Sequence, residues 1–277
     1  MLSKLLKYEF KATARQFLLC YLALVVMAFP MRLLILSWNS DIMSETAIQI
    51  VGFFTTMLYI AIIVAIGIMT LVMIISRFYR NLMTGEGYLM HTLPVSPWQH
   101  TASKLIVALV WSILSVLVIG VSLMILAAAT ISPSEMWNTV KEGLPYLFHD
   151  YKHAVGESLW TVLTPIMLCC LLSVIFEILH IYLSITVGQL FNKHRILGAV
   201  LVYIAIQTIL NTISSILTFT GVWDSGWIHS LFGTTTGLSA LHIMIGMLWV
   251  VFGGLLCICV LFFVLTNLLM HHKLNLE

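Results

Sequence analysis

Six apolar runs, each long enough to cross a bilayer, constrain this chain more than any other feature. They lie at roughly 17–36, 49–76, 105–129, 161–187, 197–218 and 241–268. A helical span needs about 20 apolar residues, and each run supplies them without a break. The apolar residues are continuous rather than alternating, which excludes a β-barrel. Only 9% of residues are charged, against about 25% in an ordinary soluble domain. The expected fold is therefore an all-α integral membrane protein with six transmembrane helices and the lipid bilayer as its solvent.

Lysine and arginine set the expected orientation. With the N-terminus inside, the inner segments carry Lys4, Lys7, Lys11, Arg15, Arg77, Arg80, Lys104, Lys193, Arg195 and Lys273, and the outer ones only Arg32, Lys141 and Lys152. That asymmetry places both termini in the cytoplasm and the protein in the cytoplasmic membrane as a multi-pass chain. The first apolar run is preceded by a long basic stretch and followed by no small-x-small cleavage site, so it is expected to stay in the mature protein.

Residues 1–16, MLSKLLKYEFKATARQ, alternate between two faces. Lys4, Lys7, Lys11 and Arg15 recur at spacings of three and four, while Leu2, Leu6, Phe10 and Phe17 line another side. Such a segment is expected to lie in the headgroup layer as an amphipathic elbow helix. Residues 17–277 then form a single transmembrane domain.

The remaining segments are the outer stretches 131–160 and 219–240 and the inner loop 77–104. Both outer segments carry aromatics suited to the membrane interface: Trp137, Tyr146, Phe148, Tyr151, Trp160, Trp223 and Trp227. In the first, Ser132 or Ser134 caps a short helix expected to end near Gly143, with Pro145 blocking its continuation.

No P-loop is present, so any ATP must be bound by another chain, and no cofactor is expected on this one. No zincin or serine-hydrolase motif appears either, and no catalytic residue is assigned. His149 and His153 stand four apart in the outer segment, which offers two ligands to a metal but no third. The five cysteines all fall in apolar runs, and Cys257 and Cys259 point about 200° apart on a helix, so they cannot share an ion. No nucleic-acid partner is expected. The intramembrane acid Glu177 sits near mid-span with His180 three residues on, and an ionisable residue there is a functional candidate by default. Ionised or neutral, it is expected to bond His180 or a neighbouring helix. Gly246 and Gly253 share one face of the last span and suggest a close helix approach.

The inner loop reads SRFYRNLMTGEGYLMHTLPVSPWQHTASKL. It is too long for a tight helical turn and too apolar to be disordered. Gly85 and Gly87 permit a reversal, a short helix follows from about Glu86 to Leu93, and Pro94 ends it. Ser96 and Pro97 then open the returning helix. The expected product is a short rigid cytoplasmic helix held between two spans.

That loop, RFYRNLMTGEGYLMHTLPVSPWQHTASKL, resembles the intracellular loop of bacterial ABC-type exporter permeases of the type-2 superfamily, in the form common among Gram-positive Firmicutes. LSKLLKYEFKATAR is similar to that family's elbow helix, and IYLSITVGQLFNKHRILG to its loop between the fourth and fifth spans. The resemblance implies a permease subunit of an ATP-driven exporter, with ATP and magnesium held by a separate ABC ATPase. It also implies a second permease partner, either another copy or a paralogue. It assigns Glu86, Gly87, Tyr88, Leu89, Leu93 and Pro94 to the coupling helix, and a second contact to Gly188, Gln189, Lys193 and Arg195. An amphipathic peptide, a lipid or a hydrophobic drug are equally compatible cargoes. A proton-coupled secondary transporter working through Glu177 and His180 is the alternative reading, and an intramembrane hydrolase a more distant one.

Overall fold

The computed structural model describes residues 2–37, 45–83, 97–129, 133–155, 158–191, 194–219 and 238–272. Among them are seven helices and no strand: α1 (Leu2–Ser37), α2 (Glu45–Met83), α3 (Pro97–Ala127), α4 (Pro133–Val155), α5 (Trp160–Gly188), α6 (Arg195–Phe219) and α7 (Leu238–His272). Six are long and apolar enough to span a membrane: Leu5–Ser37, Gln49–Arg80, Trp98–Ala127, Trp160–Gly188, Arg195–Leu217 and Met244–Met270. These are the six expected runs, and the protein is an all-α membrane protein.

Residues 2–16, expected as a separate interfacial helix, are the opening turns of α1, which runs unbroken to Ser37. At about 1.5 Å per residue, α1 and α2 each exceed 50 Å, well beyond a hydrocarbon core of about 30 Å. α3 begins at Pro97, as a proline with no N–H to lose would favour. The outer helix departs from expectation: α4 does not stop near Gly143 but passes through Pro145 to Val155. Proline there deprives the Lys141 carbonyl of its helical partner. The surrounding residues are exposed, so water can satisfy that carbonyl.

The chain forms two compact units, Met1–Arg77 with Ala102–Leu147, and Phe78–Thr101 with Phe148–Glu277. In the first, α1 presents a ridge of buried side chains, Phe17, Tyr21, Leu24 and Ala28, at spacings of three and four. Polar links join its helices: Tyr59 of α2 and Ser122 of α3 are hydrogen-bonded at 2.8 Å. Such bonds specify helix pairing where lipid is as apolar as the core. In the second unit, α5 packs against both α6 and α7. Its last three turns, from Ile178 to Gly188, hold most of the buried residues of that helix. Leu18, Leu22, Phe53, Phe54 and Val116 are exposed, as side chains solvated by lipid tails would be.

The five cysteines are free thiols. Gly253 does not mediate a close approach, because a Cβ added there would meet nothing within 4 Å.

Candidate functional site at the base of the 77–104 loop

α1 carries one acid, Glu9, among its five basic residues and turns it inward. Glu9, Thr13, Phe17 and Tyr21 recur every four residues, so they lie on one stripe, and all four are buried. The stripe meets α3. Lys104 Nζ donates to Glu9 Oε1 over 2.7 Å, with the two side chains only 2% and 9% exposed. Arg77, near the end of α2, approaches the other carboxylate oxygen at 4.0 Å and donates to the Ala12 carbonyl at 3.1 Å.

One turn along, Trp111 of α3 donates its indole N–H to Thr13 Oγ1 at 2.8 Å. The Thr13 hydroxyl donates in turn to the Glu9 carbonyl at 2.9 Å. The Trp111 ring stacks on Phe17 with centroids 4.5 Å apart and planes 9° from parallel. Beyond it, Tyr21 and Ser115 are hydrogen-bonded at 2.7 Å. Charge, hydrogen bond, ring stack and hydrogen bond thus follow one another along the α1–α3 seam.

A buried carboxylate between two cations is an expensive arrangement unless well paired. Its position here is informative: residues 77–83 and 97–104, expected as parts of the inner loop, are helical, so Arg77 lies near the end of α2 and Lys104 near the start of α3, and both reach Glu9. Contacts within the second unit are made by the neighbouring residues. Phe78 stacks on Tyr182 of α5 with centroids 4.0 Å apart, and the Thr101 hydroxyl donates to Asn267 Oδ1 of α7 at 3.0 Å. The contacts of Arg77 and Lys104 thus lie within the first unit, and those of Phe78 and Thr101 within the second.

The sequence-predicted residues distribute as follows. Glu86, Gly87, Tyr88, Leu89, Leu93, Pro94 and Lys193 lie outside the described residues. Gly188 ends α5 and is buried; a Cβ there would lie 2.6 Å from the Ala199 amide nitrogen. The α5–α6 corner closes only because that atom is missing. Gln189 follows, its backbone N–H donating to the Ile185 carbonyl at 3.2 Å and that of Leu190 to the Val187 carbonyl at 3.0 Å, and Arg195 opens α6.

Glu177 and His180 are both present on α5 but do not pair. The Glu177 side chain is exposed and lies within reach of the Tyr203 hydroxyl. His180 is fully buried, stacked on Tyr203 with centroids 4.3 Å apart and flanked by Phe176 and Phe262. Neither of its ring nitrogens has a hydrogen-bond partner among the described residues. Of the two expected partners, His180 or a neighbouring helix, Glu177 has the second, Tyr203 of α6, while the His180 ring turns into the aromatic cluster of Phe176, Tyr203 and Phe262.

Among the described residues no three histidine, cysteine, aspartate or glutamate side chains gather as a metal site. The His149 and His153 rings come within 4.4 Å without a third ligand.

Sequence reading counted Glu9, Arg77 and Lys104 only as topology markers. The one signal that could have found them is the lone acid in a basic helix, four residues before Thr13 and eight before Phe17. Comparison with protein-family models, with curated proteins and with solved structures finds no match.

Proposed function

We propose that this chain is the membrane-spanning permease subunit of an ATP-driven exporter in the cytoplasmic membrane, coupled through its 77–104 loop to a separate ABC ATPase. The observation that carries the reading is the anchorage of the helix ends that flank the connecting segment 84–96: near the end of α2 and the start of α3, Arg77 and Lys104 converge on the buried Glu9. A loop that served only to connect two spans would need a few residues and no such anchorage. The likeness of EGYL-x-x-TLPVS to an exporter coupling helix supplies the partner.

In this reading the ATPase docks on Glu86 to Pro94 from the cytoplasm and holds ATP and magnesium itself. Displacement of the docked segment acts on α2 and α3 at residues already fastened to α1, α5 and α7. The membrane helices then shift between two packings, and ATP binding biases which is populated. The buried ion pair suits that task, because a desolvated charge pair resists slipping and keeps α1 in register with α3. The cargo is amphipathic or apolar. A second permease, identical or paralogous, completes the transport path.

A proton-coupled transporter relying on Glu177 with His180 is less well supported, since the two side chains do not meet.

The test is co-purification in mild detergent of this chain expressed with its neighbouring genes, with ATPase activity assayed on the eluate. Wild type is expected to bring down a nucleotide-binding subunit, and the Tyr88→Ala, Leu89→Ala double variant to lose it or to uncouple it. A chain that transports alone, with no such subunit attached, refutes the proposal.

A further inference from the structure

α4 is the one helix among the described residues that is not a candidate span, and its two sides differ sharply. Trp137, Val140, Leu144 and Leu147 recur at spacings of three, four and three, forming a narrow apolar ridge. All four are exposed, Trp137 by 67% and Leu147 by 58%. At about 100° per residue, Glu142, His149 and His153 lie roughly 160–180° from the centre of that ridge, and Lys141 and Lys152 flank it at about 80–100°. Four large apolar side chains with no cover call for a specific neighbour.

Chain length decides which neighbour is within reach. α3 ends at Ala127 and α5 begins at Trp160, and no span intervenes, so both ends emerge at the same membrane surface. Phe148 of α4 meets the ring of Trp160, centroids 5.6 Å apart, which holds that part of α4 at the start of the fourth span. From Phe148 back to Pro133 the helix rises about 22 Å. At the other end, Ala129 is still hydrogen-bonded to the end of α3, its N–H donating to the Leu126 carbonyl at 2.9 Å. Four residue steps then lead to Pro133, a reach of at most about 14 Å when fully extended. An upright α4 would carry Pro133 beyond that reach. The helix must lie along the surface, inclined by no more than about 40° on these lengths.

A helix confined to a membrane surface turns its apolar ridge to the acyl boundary and its acids to water. Lysines at the border then reach the phosphates, their methylene stems covering apolar surface. We propose that α4 is an in-plane membrane helix whose occupant is the lipid surface itself, with Trp137, Val140, Leu144 and Leu147 seated at the headgroup–acyl boundary. It follows that His149 and His153 face water. The inference is independent of the exporter reading, since it uses only the six spans and the geometry of α4.

The experiment is photo-cross-linking on the full chain reconstituted in vesicles of phosphatidylethanolamine and phosphatidylglycerol. A benzophenone amino acid is installed singly at Val140 or Leu144 on the ridge, and at Glu142 or His149 opposite it. Adducts are identified by mass spectrometry after size-exclusion confirms that each variant is folded. Phospholipid adducts are expected from the ridge positions at least about five-fold above the opposite face, as burial of one face in the boundary requires. Adducts from Leu144 to polypeptide, within the chain or to a second one, would assign the ridge to a protein contact and overturn the proposal. Equal lipid labelling from both faces, or photolysis without lipid adducts from the ridge, overturns it equally.

Discussion

Lys104 of α3 donates a 2.7 Å hydrogen bond to Glu9 of α1, and both side chains are almost wholly buried. Ninety-five positions separate them, so the contact is a tertiary one. It pins the opening turns of the chain to the start of α3.

Removing one member leaves the other charge buried and unpaired. Lys104→Met and Glu9→Leu are each expected to cost about 3–5 kcal/mol of stability. The double variant Glu9→Leu, Lys104→Met should recover most of that loss, because an apolar pair of similar volume is often as stable as a buried ion pair. Thermal unfolding of the four proteins of the cycle in one detergent reads this directly. Additive losses would mean that the pair carries no coupling energy.

Arg77 separates stability from coupling. It is partly exposed and 4.0 Å from the Glu9 carboxylate, so Arg77→Ala should lower stability by only about 1 kcal/mol. If the proposed ATPase partner is present, the same variant is expected to reduce cargo-stimulated hydrolysis by far more than that small loss explains. Unchanged stimulation would remove Arg77 from the coupling path.

Trp111 joins two interactions that substitution can separate. Trp111→Phe keeps a ring beside Phe17 but removes the bond to Thr13, at an expected cost of about 1–3 kcal/mol. Trp111→Ala removes both and should cost about 3–5 kcal/mol. Equal melting temperatures for the two variants would show that the stack adds nothing.

Gly188 and Gly253 predict opposite outcomes for one substitution. A methyl group at Gly188 would drive into the Ala199 backbone, so Gly188→Ala should destabilise by about 1–3 kcal/mol. Gly253→Ala meets open space and should be neutral or slightly stabilising, since alanine is the better helix former by up to about 1 kcal/mol. Matched unfolding curves decide between these, and indistinguishable variants would contradict the packing at the α5–α6 corner.

His180 sits among Phe176, Tyr203 and Phe262 with both ring nitrogens unpartnered. His180→Phe should therefore hold or raise stability, by up to about 1–3 kcal/mol if the full desolvation cost is relieved. Glu177→Gln should leave stability nearly unchanged, because the amide is isosteric and its carbonyl oxygen can still accept from the Tyr203 hydroxyl. Abolished transport in a well-folded Glu177→Gln protein would instead revive a role for its ionisation.

The membrane fold was legible because its cause is local. A run such as LVMII or VLFFVL is apolar whatever surrounds it, and its backbone must bond internally in lipid. Pro97 likewise announced the start of α3, since a missing N–H is harmless only in a first turn. Pro145 misled for the complementary reason. The rule against proline within a helix holds where the freed carbonyl is buried, and exposure of α4 was not visible in the sequence. Gly253 suggested a close helix approach, but a glycine face shows only where an approach is permitted.

Sequence by itself determined the number and approximate positions of the six spans and the interfacial aromatics of the outer segments, because each follows from the composition of one continuous segment. Only the tertiary structure decided that Glu9 turns inward to meet Lys104 and Arg77, that His180 and Glu177 part, and that Gly188 rather than Gly253 is where backbones close. Those outcomes depend on which side chains from distant segments share a desolvated space. The free energy of a charge or a cavity belongs to that shared space and to no single stretch of chain.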